Sequence, residues 1–237
     1  MTLQKETESL KSHGKWYQDA CGTAFAMELV GERWSMLIIR ELMLGGRRFS
    51  DLRASLPGIS AKVLTERLAG LEQAGVLVKR KLPPPAAAQV YELTEWGYHA
   101  EPAIQELGRW AARSPEHNPQ LPLSPVSLML SMRTMIVPAE AQKVEGSIGF
   151  DIAGDGFLAD LRGGELTVRR GDPTESQALF RIPVALPFLR VIYGKQPLDE
   201  ALAEGALRAE GDLDLARRFS RVFSLPPKVA PPTAAAV

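Results

Sequence analysis

The feature that most constrains this chain is a run of prolines near its middle, Ser114-Pro115-Glu116-His117-Asn118-Pro119-Gln120-Leu121-Pro122-Leu123-Ser124-Pro125. Proline has a fixed φ and no backbone N–H, so four of them in eleven residues exclude a helix interior and a central strand. The run divides 237 residues into two pieces, each of single-domain size. The predicted organisation is a first domain over 1–113, a linker over 114–125, a second domain over 126–225 and a loose Pro/Ala-rich tail over 226–237. Hydrophobic residues at 45% supply enough apolar mass for real cores. A single cysteine, Cys21, excludes an internal disulfide framework and a Cys-rich zinc site, and His13, His99 and His117 show no ligand spacing. No apolar run reaches the roughly 18 residues of a membrane span. The N-terminus is polar and of mixed charge, so the expectation is a soluble, cytoplasmic protein with no membrane contact.

The first piece is mostly helical in pattern. Phe25, Leu29, Trp34, Leu37, Ile38, Glu41 and Leu42 fall at helical spacing and end at Gly45-Gly46. Ser50 is a plausible N-cap for a short helix carrying Leu52 and Leu56, Pro57-Gly58 is a turn, and Ser60 caps a second helix. In that helix Leu64, Leu68 and Leu71 form one buried stripe, and Gly75 stops it. Two strands follow, Val76 to Lys81 and Gln89 to Leu93, around the tip Pro83-Pro84-Pro85-Ala86-Ala87-Ala88. Thr94 then caps a last helix through Ile104, Leu107 and Trp110. Helix, turn, helix, strand, basic loop, strand is the order of a winged helix-turn-helix.

Net charge is zero, with 28 basic and 28 acidic residues, but residues 33–81 hold ten Lys/Arg against four Asp/Glu. A local basic stretch is an electrostatic footprint for phosphates or an ordinary solvated surface. Opposite the leucine stripe, the N-terminal half of the second helix carries Ser60, Ala61, Lys62 and Thr65. Small polar residues there permit close approach to a major groove and reach base edges or phosphates. Arg67 lies at the flank, facing either phosphate or an acidic neighbour. Lys79, Arg80 and Lys81 on the hairpin suit phosphates or a minor groove, or else a charged edge strand that blocks aggregation. Arg47 and Arg48 precede the first short helix and could grip backbone from the other side.

The stretch from about 21 to 112 resembles the HxlR-type bacterial transcription regulators. The resemblance is carried by Gly31-Glu32-Arg33-Trp34-Ser35, Ile39-Arg40-Glu41-Leu42, Gly46-Arg47-Arg48-Phe49-Ser50-Asp51-Leu52 and Ile59-Ser60-Ala61-Lys62-Val63-Leu64-Thr65-Glu66-Arg67-Leu68. Leu71-Glu72-Gln73-Ala74-Gly75 and Val90-Tyr91-Glu92-Leu93-Thr94-Glu95-Trp96-Gly97 continue it. It implies a homodimer joined by terminal helices, with two winged helices on a two-fold-related double-stranded DNA operator. The triple proline and triple alanine of the wing depart from the family pattern. Some members use a cysteine at the place of Cys21 to sense oxidants, electrophiles or quinones, which makes Cys21 a candidate redox sensor. By its apolar helical surroundings, Cys21 reads instead as a buried, inert thiol.

After the linker an apolar helix, Val126 to Val137, leads into alternating strands: Ile148, Phe150 and Ile152; Phe157, Ala159 and Leu161; Leu166 and Val168; Ala178, Phe180 and Ile182. Helices are expected over 184–193, 198–204 and 213–223. Four meandering strands followed by helices indicate an α+β fold, an antiparallel-rich sheet covered by helices. This half, about 125–225, resembles the sterol-carrier-protein-2-like domains through those hairpins, Tyr193-Gly194-Lys195 with Pro197, Leu207-Arg208-Ala209-Glu210-Gly211-Asp212 and Phe219-Ser220-Arg221-Val222-Phe223. The resemblance implies an apolar tunnel for a lipid-like small molecule. Its walls would be Phe150, Ile152, Phe157, Leu166, Val168 and Phe180, closed by Phe188 and Ile192. A fully packed core fits the same pattern. No phosphate-binding loop, nucleophile elbow or zinc-protease motif occurs, so neither enzyme activity nor a cofactor or metal is expected. The reading is a DNA-binding transcription regulator with a sensing or dimerising second half. The alternative is a lipid carrier whose winged helix serves as an interaction module.

Overall fold

In a computed structural model of the chain, residues 17–84 and 88–230 are described. The expectations that fall on the N-terminal stretch 1–16, the loop tip 85–87 and the end of the tail 231–237 lie outside the described residues. The chain separates into two compact units. One runs up to Leu42 and from Gly46 to Tyr98, and the other comprises Met43–Gly45 and everything from His99 onward.

The first unit contains α1 (Gly22–Val30), α2 (Ser35–Leu42), α3 (Phe49–Ser55), α4 (Ala61–Gln73), the hairpin strands β1 (Leu77–Lys81) and β2 (Gln89–Leu93), and α5 (Glu95–Tyr98). Helices α3 and α4 meet across Pro57-Gly58, where Gly58 takes φ +90°, a value open to a residue without a Cβ. Leu64, Leu68 and Leu71 are at most 1% exposed, as the stripe predicts, and are buried with Ile38, Ile39 and Leu42 of α2 and Leu52 of α3. Each such leucine contributes about 1.5–3 kcal/mol by leaving water. The hairpin is antiparallel with Leu77 opposite Leu93 and Lys81 opposite Gln89.

Three local expectations are corrected. The apolar spacing from Phe25 to Leu42 reads as one helix, but the chain breaks between Val30 and Ser35: Gly31 C-caps α1 with its N–H on the Met27 carbonyl, and Trp34 sits at φ +83°. Periodicity registers faces and is blind to a single reversal of φ. Ser50 does not cap α3; Arg48 holds the N-cap position without a side-chain bond, and the Ser50 hydroxyl donates to Asp51 at 3.0 Å. The helix expected after Thr94 is two helices. Thr94 Oγ1 accepts the Gly97 N–H at 3.0 Å and so caps only the four-residue α5. A new helix then starts with Pro102 in its first turn, where the missing N–H costs nothing.

The second unit begins with that helix, α6 (Glu101–Ala111), and continues through α7 (Pro125–Met135), α8 (Pro138–Ala141), β3 (Gly146–Ile152), β4 (Asp155–Arg162), β5 (Glu165–Arg170), β6 (Ala178–Ile182), α9 (Ala185–Ile192), α10 (Leu198–Ala203), β7 (Arg208–Gly211) and α11 (Leu213–Ser220). Residues 114–124 hold neither helix nor strand. The tail is tied at its start: Lys228 Nζ donates to the carbonyls of Ala112, Ser114 and His117, and the Val229 N–H donates to the Arg113 carbonyl.

The sheet order is β5-β4-β3-β6-β7. This corrects the four-strand meander in two respects. Strand β6 pairs parallel to β3, and β7 adds a fifth strand beside it. To reach β6 the chain leaves the edge strand β5 and crosses one face of the sheet through a 3₁₀ turn at Pro173–Glu175. Two glycines make room for that crossing: a Cβ on Gly149 would lie 2.0 Å from the Pro173 carbonyl oxygen, and one on Gly156 would lie 2.6 Å from that of Gly171. Strand β7 escapes a pattern reading because it is four residues long, mostly exposed and without apolar alternation. On the opposite face Phe150 stands beside Phe157 and Phe180 in register, under α7, α9 and α11.

Candidate nucleic-acid interface

Helix α4 presents the candidate reading surface. Ser60 Oγ accepts the Val63 N–H at 3.2 Å and fixes the start of the helix. With the leucines buried, Lys62 and Thr65 project outward, the Lys62 side chain 87% exposed and 4.0 Å from Glu66. The Thr65 hydroxyl donates to the Ala61 carbonyl at 2.9 Å, which orients its oxygen and leaves acceptor capacity facing solvent. Ala61 is half-buried at the first helical position. Ser60, Ala61, Lys62 and Thr65 thus lie together at the N-terminal end of α4.

The flanking basic residues divide. Arg67 turns to the protein: it pairs with Glu32 at 2.8 Å and donates to the Arg33 carbonyl. Of its two readings, the acidic neighbour is the one the geometry supplies. Arg47 is half-buried, exchanges backbone hydrogen bonds with Tyr91 and donates a side-chain bond to Ser55 Oγ. Lys79 pairs with Glu72 at 3.1 Å and lies over the Tyr91 ring, and the Glu72 carboxylate holds its ammonium above the usual lysine range. Arg80 pairs with Glu92 at 3.2 Å. Arg48 and Lys81 are exposed, and among the described residues neither has an ion pair within 4.0 Å. Exposed Arg53, in the last turn of α3, shares that condition and was not singled out in the sequence, where a lone arginine gives no signal.

The expectation of a buried Cys21 is corrected. It is exposed at the N-cap of α1, its own N–H bound to Asp19 Oδ1 at 2.9 Å. The backbone N–H groups of Thr23 and then Ala24 stabilise the thiolate and lower its pKa from the ordinary value. Neighbouring residues on the same helix, Phe25 and Met27, are also exposed, as are Leu107 and Trp110 on α6, the indole at 73%.

In the second unit the predicted tunnel residues are brought together by packing on one another. Phe150, Phe157, Phe180, Phe188 and Ile192 are 0% exposed. Ring centroids lie 5.5 Å apart for Phe150–Phe180, 5.7 Å for Phe150–Phe188 and 5.0 Å for Phe180–Phe188. Ile152 and Leu166 are buried beside them and Val168 is half-buried. Among the described residues no group of three or more His, Cys, Asp and Glu is placed to hold a metal, and no helix is long and apolar enough to cross a membrane.

Comparison with known proteins gives two family matches: HxlR-like helix-turn-helix over residues 29–119 and the SCP-2 sterol transfer family over 130–224. The chain is similar to the HTH-type transcriptional regulator YodB of Bacillus subtilis, 41% identical over 86 residues, 36% of this chain and 77% of YodB. It is also similar to the uncharacterized HTH-type transcriptional regulator YvaP of the same organism, 37% identical over 86 residues, 36% of this chain and 80% of that protein. Among solved structures, the reduced form of YodB from B. subtilis matches with 38% identity and a TM-score of 0.37, covering 40% of this chain and 95% of that one.

Proposed function

The chain belongs to the HxlR-like helix-turn-helix transcriptional regulators, with an SCP-2 sterol transfer family domain behind it, and from that premise we propose that it binds operator DNA as a homodimer through α4 and the β1–β2 hairpin. The observation that carries this reading is the division of α4. Its leucine stripe is buried, and the opposite N-terminal half offers Ser60, Ala61, Lys62 and Thr65 to solvent beside a capped helix start. That half meets base edges in the major groove, while Lys81 and Arg48 meet phosphates on either side. Two further features support a dimer: the apolar side chains left uncovered on α1 and those on α6.

The SCP-2-like unit is the sensing or dimerising half. Its aromatic cluster supports a packed body, so a lipid-like ligand in the predicted tunnel must part Phe150, Phe180 and Phe188 to enter. Cys21 is a redox-responsive position in this reading, supported by its exposure and the backbone donors that favour its thiolate.

The test is selection from a pool of random duplexes, followed by fluorescence anisotropy in a salt series. The expected result is an operator of two half-sites about 34 Å apart or a multiple of it, with affinity falling steeply as salt rises. Equal affinity for selected and random duplex would defeat the recognition-helix reading, and a monomer in light scattering would defeat the dimer.

A further inference from the structure

A cleft of about 260 Å³ opens in the second unit where the end of α9, the start of α10 and α11 meet. Its apolar lining is Val191, Pro197 and Leu198, of which Val191 and Leu198 are 5% exposed and fixed in the core below. Its charged lining is Lys195, Arg217, Arg221 and Asp199, three cations to one carboxylate. The carboxylate is already spent: both Asp199 oxygens accept from Arg217, at 2.9–3.1 Å, and Asp214 holds the other end of that guanidinium. Lys195 and Arg221 are left over. Lys195 Nζ donates to the Phe223 carbonyl at 3.3 Å, and among the described residues neither cation has an ion pair within 4.0 Å.

The backbone at Lys195 adds an independent observation. It sits at φ +61° in the turn that ends α9, where the Gln196 N–H returns to the Arg190 carbonyl. Glycine or asparagine ordinarily fills a left-handed position after a helix. A lysine stands there instead, in the turn that closes α9, and it lines the cleft.

We propose that this cleft binds a small organic acid, the apolar body on Val191, Pro197 and Leu198 and the carboxylate between Lys195 and Arg221. The volume sits below the range of drug-sized pockets and suits a single ring or a short chain. A carboxylate there receives charge-assisted hydrogen bonds from groups that have no ion pair within 4.0 Å, Arg221 acting on Asp199 only at longer range, while the apolar wall favours an organic body over a bare, hydrated ion. The site is separate from the phenylalanine cluster and from α4, so the inference stands whether or not the chain binds DNA.

The experiment is calorimetric titration of the full chain at low ionic strength with benzoate, benzamide and inorganic phosphate. Benzoate binds, and neither the neutral isostere nor phosphate competes with it. Arg221→Gln and Lys195→Gln each weaken benzoate by about tenfold, the worth of one charge-assisted hydrogen bond. Both side chains are exposed and ion-pair-free, and an unchanged thermal midpoint for each variant shows that the fold is kept. Equal binding of benzamide, or benzoate binding indifferent to both variants, places the contact elsewhere and overturns the proposal. Phosphate binding as well as benzoate leaves a general anion site and overturns the organic-acid claim. The absence of any benzoate heat or shift in melting also overturns it.

Discussion

Truncating Phe150 to alanine separates a packed core from a ligand tunnel in the second unit. Phe150 lies in the middle strand β3, is 0% exposed and has three aromatic neighbours, Phe180, Phe188 and Phe219, with centroids 5.5, 5.7 and 6.0 Å away. Removing a fully buried phenylalanine costs about 3–5 kcal/mol in transfer and residual cavity. Each lost aromatic pair removes a further contribution of about 0.5–1.5 kcal/mol beyond area, part of which is already inside that range. Phe150→Ala is therefore expected to cost about 4 kcal/mol, a large share of the roughly 5–15 kcal/mol that holds a domain together. Since about 1.4 kcal/mol is a factor of ten, amides of β3, β4 and β6 that exchange by opening of the unit would exchange about a thousandfold faster. Hydrogen exchange read by mass spectrometry resolves this unit from the helix-turn-helix unit, whose peptides serve as the internal control. Phe150→Leu keeps most of the volume and should cost less than half as much. A Phe150→Ala cost below about 1.5 kcal/mol, the range of volume-conserving swaps, would refute close packing and restore the tunnel.

Three further outcomes are expected. Thr65→Ala changes which duplex is preferred, whereas Lys81→Ala weakens all duplexes alike and lowers the salt slope by about one; a sequence-selective effect of Lys81→Ala would remove it from the phosphate contacts. Ser60→Ala loses the bond to the Val63 N–H and costs about 1 kcal/mol in urea unfolding, and a neutral result would show that the cap contributes nothing. The Cys21 thiol is held below its ordinary pKa by backbone N–H donors, so more of it is thiolate at any given pH; its alkylation by iodoacetamide should rise with pH at a midpoint below the roughly 8.5 of a free cysteine, and a midpoint at or above that value would count against the N-cap geometry.

What the chain discloses before its structure is seen follows from which physical terms are local. Helix α4 was legible because burial repeats with the helix period: Leu64, Leu68 and Leu71 declare one face, and the other follows by subtraction. The sheet face of Phe150, Phe157 and Phe180 was legible for the same reason with period two. Strand neighbours were not, because the crossing that sets β6 beside β3 depends on two glycines whose value lies in what passes over them. Charge behaved in the same way. Residues 79–81 are identical in sign, yet Lys79 and Arg80 face Glu72 and Glu92, and of the three Lys81 alone has no ion pair within 4.0 Å among the described residues. Glu41 counted as one more position of an apolar stripe and is indeed 0% exposed, bonded to the Arg40 guanidinium at 2.8 Å. A buried carboxylate of this kind is tolerated only with its partner in place. Glu41 thus follows its stripe into the core, although Phe25 and Leu37 of the same stripe stay exposed, whereas the pairing of a cation is set by where the fold places the carboxylates. The same rule separates Arg217, paired with Asp199 and Asp214, from Arg221, which has no ion pair within 4.0 Å and acts on Asp199 only at longer range. Which cations of this chain are left without an ion pair is thus a property that exists only once the fold has formed.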